Sequence, residues 1–84
     1  MKNKILIELV VPILEKSYDV YIPVNRKVGN TIELLQKSIS EMSGGYFKET
    51  SQTALYSSLT GDRYPIDIQI RATDIRNGSR VILM

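Results

Sequence analysis

Cysteine and histidine are both absent from this sequence. Without cysteine there is no disulfide or thiolate site to stabilise a small domain, and nothing in cysteine usage says whether the compartment is oxidising. Without histidine, zinc has lost both of its commonest ligands, and acid-base or nucleophilic schemes built on imidazole are excluded. A run of one charge sign is missing too: 11 basic and 9 acidic residues are interspersed, for a net charge of +2. Phosphate binding draws on clustered Lys and Arg, so nucleic acid is not the expected partner. There is no long apolar run. Ile5 to Leu14 carries Glu8, is broken at Pro12 and lacks a small-residue cleavage pattern, so it reads neither as a bilayer span nor as a signal peptide. No direct membrane insertion is expected, and cytoplasmic residence is the default.

What remains is enough for one small domain over residues 1–84. At 43% hydrophobic and 24% charged, the chain is too apolar to be disordered. Lys4 to Val11 is rich in β-branched residues, and Glu8 sets its parity: with Glu8 in water, Ile5, Ile7, Leu9 and Val11 face a core while Leu6 and Val10 share the outer side. Pro12 cannot donate to a ladder and ends the strand, leaving Ile13 to Ser17 as a connection. A second run, Tyr18 to Val24, alternates with Asp19 and Tyr21 outward and Tyr18, Val20 and Ile22 inward; the short link predicts an antiparallel hairpin.

After a connection from Pro23 to Gly29, Asn30 or Thr31 is a suitable helix N-cap, with Glu33 completing a capping box. Ile32, Leu35, Ile39 and Met42 recur at helical spacing, and Gly44-Gly45 ends the helix. Tyr46 to Thr53 reads as a loop in which Tyr46 or Phe47 tucks under the helix. Ala54 to Ser58 is a short strand with Leu55 inward, Thr60-Gly61-Asp62 a turn, and Arg63-Tyr64 a very short edge strand ended by Pro65. The closing stretch holds an apolar anchor at Ile70, a turn of helix ending on Ile75, an Asn77-Gly78 reversal and a last strand, Arg80 to Met84, with Val81 and Leu83 on one face. The simplest packing lays the helix stripe across one face of a mixed sheet, the first and last strands pairing in parallel at its centre.

That order of elements resembles the ubiquitin-like β-grasp, an α+β fold with a mixed four- to five-stranded sheet and one α-helix packed across one face. The resemblance rests on the helix opening Asn30-Thr31-Ile32-Glu33, the Ile32, Leu35, Ile39 stripe, the Thr60-Gly61 turn and the Ile70, Ile75, Val81, Leu83 spacing. Conjugated members end in a diglycine tail; here the sequence stops at Met84 and its Gly-Gly pair is internal, so the resemblance implies a protein that is not conjugated. Tyr18-Asp19-Val20 in the second strand and Ile75 to Arg80 before the end are similar to the YukD and EsaB group associated with type VII secretion. Membership implies a non-enzymatic accessory or regulatory component, without cofactor, that binds a larger protein, such as a secretion-system component. A different class remains open: an orphan interaction module or self-associating homo-oligomer unrelated to secretion.

Candidate chemistry is sparse. Asp62, Asp67 and Asp74 have no calcium-loop spacing and read as solvated turn residues. Gly29 and Gly44-Gly45 lack the Lys-Ser or Lys-Thr pair of a phosphate loop. Lys2, Lys4, Arg71, Arg76 and Arg80 form a mild basic scatter, more simply a solvated face than an anion site. The candidate site is apolar. In the expected sheet Leu6, Tyr21, Tyr56, Ile82 and Met84 lie on the face away from the helix, the face related domains use for partners. The competing reading is scattered surface apolar residues, which need no function.

Overall fold

The structure, a computed structural model, describes residues 3–84. Its first hairpin follows from the alternation in the sequence. Strand β1 (Lys4–Val11) pairs antiparallel with β2 (Lys16–Pro23) in an unbroken register from Lys4 opposite Pro23 to Val11 opposite Lys16. Ile7, Leu9 and Val11 are buried and Leu6, Glu8 and Val10 are half-buried, the parity that Glu8 implies. The link is shorter than expected: a 3-10 turn, Pro12–Leu14, hands over to Glu15, whose N–H donates to the Pro12 carbonyl at 2.9 Å. Glu15 sits at φ 53, left-handed backbone that a non-glycine residue adopts at a cost. The hairpin tightens there, and β2 gains Lys16 and Ser17.

Helix α1 (Val28–Met42) starts two residues before the expected cap. Lys27 is the N-cap and makes no side-chain bond; Asn30, Thr31 and Glu33 lie inside the helix and form no capping box. The free amides of the first turn are satisfied from elsewhere in the chain. Val28 N–H donates to the Ile68 carbonyl at 2.8 Å and Gly29 N–H to the Ile66 carbonyl at 3.1 Å. A backbone cap supplied some forty residues downstream leaves no local signature. It also needs a close approach, since a Cβ on Gly29 would lie 3.3 Å from the Ile66 carbonyl oxygen.

The buried face of α1 is Val28, Ile32, Leu35, Gln36 and Ile39, together with Thr31, whose hydroxyl donates to the Lys27 carbonyl at 3.1 Å. Met42, expected on the stripe, is 54% exposed. The chain leaves the helix at Ser43, before Met42 reaches the core, through Gly44 and Gly45 at φ 68 and 88. Phe47, not Tyr46, then tucks in: Phe47 is 4% exposed and Tyr46 is 81%. Gln36 holds the following loop by a two-point clamp, its amide donating to the Thr50 carbonyl at 3.0 Å and its oxygen accepting from Thr50 N–H at 2.9 Å.

Strand β3 (Leu55–Ser57) pairs antiparallel with β4 (Arg80–Leu83), and β4 runs parallel to β1. Among the described residues the sheet holds four strands in the order β2-β1-β4-β3, with α1 across one face. The expected fifth strand at Arg63-Tyr64 reduces to one bridge, Arg63 to Tyr56. The helical turn before the last strand covers only Ile70–Ala72. Ile75 is buried beyond it, on backbone tied by the Thr73 hydroxyl, which donates to the Ile70 carbonyl at 2.6 Å and accepts from Ile75 N–H at 3.1 Å. One core cluster joins the inner residues of all four strands to α1, Phe47, Ile70 and Ile75.

Candidate protein-binding face

Opposite α1, strand parity and register arrange side chains in rows across the sheet. Leu6 stands opposite Tyr21. Next comes a charged row, Asp19, Glu8 and Arg80, in which Arg80 Nε lies 3.6 Å from Glu8 Oε1. Both partners are well exposed, so this ion pair contributes little to stability. The row after it is Ser17, Val10, Ile82, Tyr56 and Arg63. Met84 extends the same face beyond Ile82, its backbone exchanging two hydrogen bonds with Ala54 at 3.0 and 3.1 Å.

All five candidate residues therefore lie on the open face, but not in one patch. Leu6 and Tyr21 form one group and Ile82, Tyr56 and Met84 another, with the Asp19, Glu8, Arg80 row between them. The parallel register explains the division. Pairing Glu8 with Arg80 sets Ile82 level with Val10, and Leu6 level with the Asn77-Gly78 turn, where Leu6 N–H donates to Asn77 Oδ1 at 2.8 Å and Gly78 N–H to the Leu6 carbonyl at 2.7 Å. Val10 belongs to the larger group; its outward parity was readable from Glu8, but its level was not. Met84 also borders a groove of about 350 Å³ shared with Ile13, Tyr46 and Phe47. Ile13, 78% exposed, and Tyr46 sit in segments that read as connections and carried no periodic signal.

The polar candidates have structural roles where they have any. Arg76 Nη1 donates to the Thr73 and Ile75 carbonyls at 2.6 and 2.8 Å, Arg80 pairs with Glu8, and Lys4 and Arg71 are exposed; Lys2 lies outside the described residues. The amide of Gly29 is already used by the Ile66 carbonyl. Among the described residues no group of three acidic, His or Cys side chains is placed to hold a metal ion, and no helix is long and apolar enough to cross a membrane.

Asp74 accepts a 2.7 Å hydrogen bond from the Tyr64 hydroxyl. Burial chiefly, with the Asp74 hydrogen bond and charge, raises the Tyr64 phenol above its ordinary 10.0. The fold thus favours the neutral phenol, so its contribution is complete below pH 10.0 and is lost as pH rises toward the raised folded value. Tyr64→Phe is expected to flatten that alkaline decline when unfolding free energy is measured by urea denaturation across alkaline pH; an unchanged slope would show that Tyr64 does not cause it.

No protein-family model and no curated protein sequence matches this chain. Solved structures do. The ubiquitin-like domain of EccD5 from Mycobacterium xenopi superposes with a TM-score of 0.79 at 13% identity, covering 96% of this chain and 92% of that one. The fold is ubiquitin-like. A chain of the MycP5-free ESX-5 inner-membrane complex also matches with a TM-score of 0.79 at 16% identity, over 98% of this chain; this chain spans 21% of that neighbour's length. A chain of the toluene 4-monooxygenase HD complex with the inhibitor 4-bromobenzoate matches with a TM-score of 0.73 at 7% identity, over 95% of each. At these identities the likeness carries the fold alone, and this ubiquitin-like fold occurs in settings as different as an inner-membrane complex and a monooxygenase complex.

Proposed function

We propose that this ubiquitin-like protein is a non-enzymatic, cytoplasmic interaction component of a type VII secretion system, of the YukD and EsaB kind, and that it binds a larger protein through the Val10, Ile82, Tyr56 and Met84 end of its open sheet face. The observation that carries the reading is that end of the face: three apolar side chains in one row from three strands, Val10, Ile82 and Tyr56, with Met84 beyond them, flanked by Arg80 and Arg63, which is the composition of an interface core with a polar rim. The likeness to the EccD5 domain and to the ESX-5 complex, a type VII secretion inner-membrane complex, supports the setting.

Ile82→Glu tests it. The substitution places a charge in the middle of the row and removes cross-strand contacts with Val10 and Tyr56, worth about 0.2–1 kcal/mol each. The protein is expected to stay folded by far-ultraviolet circular dichroism but to stop co-purifying with the secretion membrane complex, and secretion is expected to fall in cells carrying only that variant. Unchanged co-purification would overturn the open-face reading. Normal secretion after deletion of the gene would favour the second reading, an interaction module unrelated to secretion, for which the monooxygenase likeness is the supporting observation.

A further inference from the structure

The two edges of the sheet are treated differently. At β3, Arg63 bridges Tyr56, Ser57 N–H donates to the Asp62 carbonyl and Tyr64 N–H to the Leu55 carbonyl, both at 2.9 Å, so the following loop closes that edge. At β2, eight residues long, no described segment pairs with the outer side. Which groups are free follows from β1. Leu6 N–H and Glu8 N–H are spent toward β4, on Asn77 Oδ1 and the Ser79 carbonyl at 2.8 and 2.9 Å. The alternate residues Ile5, Ile7 and Leu9 therefore bond to β2 through their partners Ile22, Val20 and Tyr18. Facing outward are the N–H groups of Ser17, Asp19 and Tyr21 and the carbonyls of these residues and Pro23. The devices that usually blunt an edge are scarce: the register has no bulge, proline occurs only at the last position, and Asp19 is the one charge between Lys16 and Pro23.

We propose that β2 pairs with β2 of a second copy of this chain, antiparallel about a two-fold axis through Val20. Self-pairing permits few registers, and the side chains distinguish them. An axis through Asp19 sets the two carboxylates directly opposite each other, an unfavourable cross-strand pair. An axis through Tyr18 lays Tyr21 against Glu15, whose backbone is left-handed and not extended. An axis through Tyr21 lays Asp19 against Pro23, which has no N–H to return. The Val20 axis avoids the carboxylate pair and moves Glu15 and Pro23 to the outer ends of the ladder. Asp19 and the second copy's Tyr21 then exchange both backbone hydrogen bonds, and the symmetric pair repeats this. Ser17 N–H reaches the second copy's Pro23 carbonyl, while Glu15 faces Asn25 and Lys16 faces Val24, so no like charges oppose each other. On the helix side, Val20 meets Val20 and Tyr18 meets Ile22. This covers the edge of Tyr18 and Val20, which a single copy leaves half-buried. Ile82, Tyr56 and Met84 stay uncovered toward the far edge, so failure of this pairing and failure of the open-face reading are separable.

The full chain is expected to show a sedimentation mass that rises toward twice the monomer value as concentration increases. Asp19→Pro deletes an outward N–H and no bond within the sheet, and is expected to return the mass to that of the monomer. The chain has no cysteine, so single-cysteine variants report register cleanly. Val20→Cys is expected to form an intermolecular disulfide under mild oxidation, because facing residues of a non-hydrogen-bonded pair lie about 4.5 Å apart at Cα, within disulfide range. An equimolar mixture of Ser17→Cys and Tyr21→Cys, which would meet if the axis passed through Asp19, is expected to cross-link on the order of tenfold more slowly. A monomer at every concentration would overturn the proposal and leave the edge to a foreign strand. Faster linkage of the mixed pair would overturn the register.

Discussion

Phe47→Ala is expected to lower the stability of the domain by about 3–5 kcal/mol, whereas Tyr46→Ala is expected to change it by less than about 0.5 kcal/mol. The two aromatic neighbours differ only in which way the chain turns after α1. Gly44 and Gly45 take the left-handed backbone that reverses the chain, and the Ser43 hydroxyl then accepts from Phe47 N–H at 3.0 Å, fixing which ring enters. Phe47 joins the core cluster that runs through Leu55, Leu83 and Ile39, while Tyr46 points to solvent. Truncating Phe47 removes its transfer free energy and leaves a cavity, and the clamp from Gln36 to Thr50 holds the loop against collapse into it. For a domain of this size each kcal/mol corresponds to about 4–8 °C in melting temperature, so thermal denaturation resolves the pair easily. Equal effects at the two positions would mean that the loop does not select between the rings.

The contrast also shows what was legible in the sequence. Strands β1, β2 and β4 were readable because their inner residues alternate strictly and a single charge, Glu8, sets the phase. The parallel pairing of first and last strands followed from connection rules and not from any residue pair. What the sequence hid was satisfied at a distance. The first amides of α1 are capped by the Ile66 and Ile68 carbonyls, so a plausible local capping box at Asn30 to Glu33 pointed to the wrong start. Gln36 reads as a solvent-facing residue because its polarity says nothing of a Thr50 backbone waiting opposite it. At the candidate face, membership of the outer side could be read from parity. The division into two groups could not, because it depends on the offset between β1 and β4, which no short-range pattern encodes.

The last expected result concerns the helix itself. Leu35→Ala is expected to cost about 2–5 kcal/mol, and Met42→Ala, at the same helical spacing seven residues on, less than about 0.5 kcal/mol. Leu35 is 4% exposed and Met42 54%, although a periodic stripe treats them as equivalents. The chain leaves α1 at Ser43 with Met42 still outside the core, and the sites that replace Met42 in the buried face are Val28, at the other end, and Gln36. Since Val28 and Ile39 are both fully buried, Leu35 lies between buried positions of the same helix face, where truncation leaves a cavity. Urea denaturation of the two variants decides the matter: an unchanged midpoint for Leu35→Ala would sink the packing of α1 on the sheet, and a comparable loss for Met42→Ala would mean that the helix seats one turn further along than the structure places it.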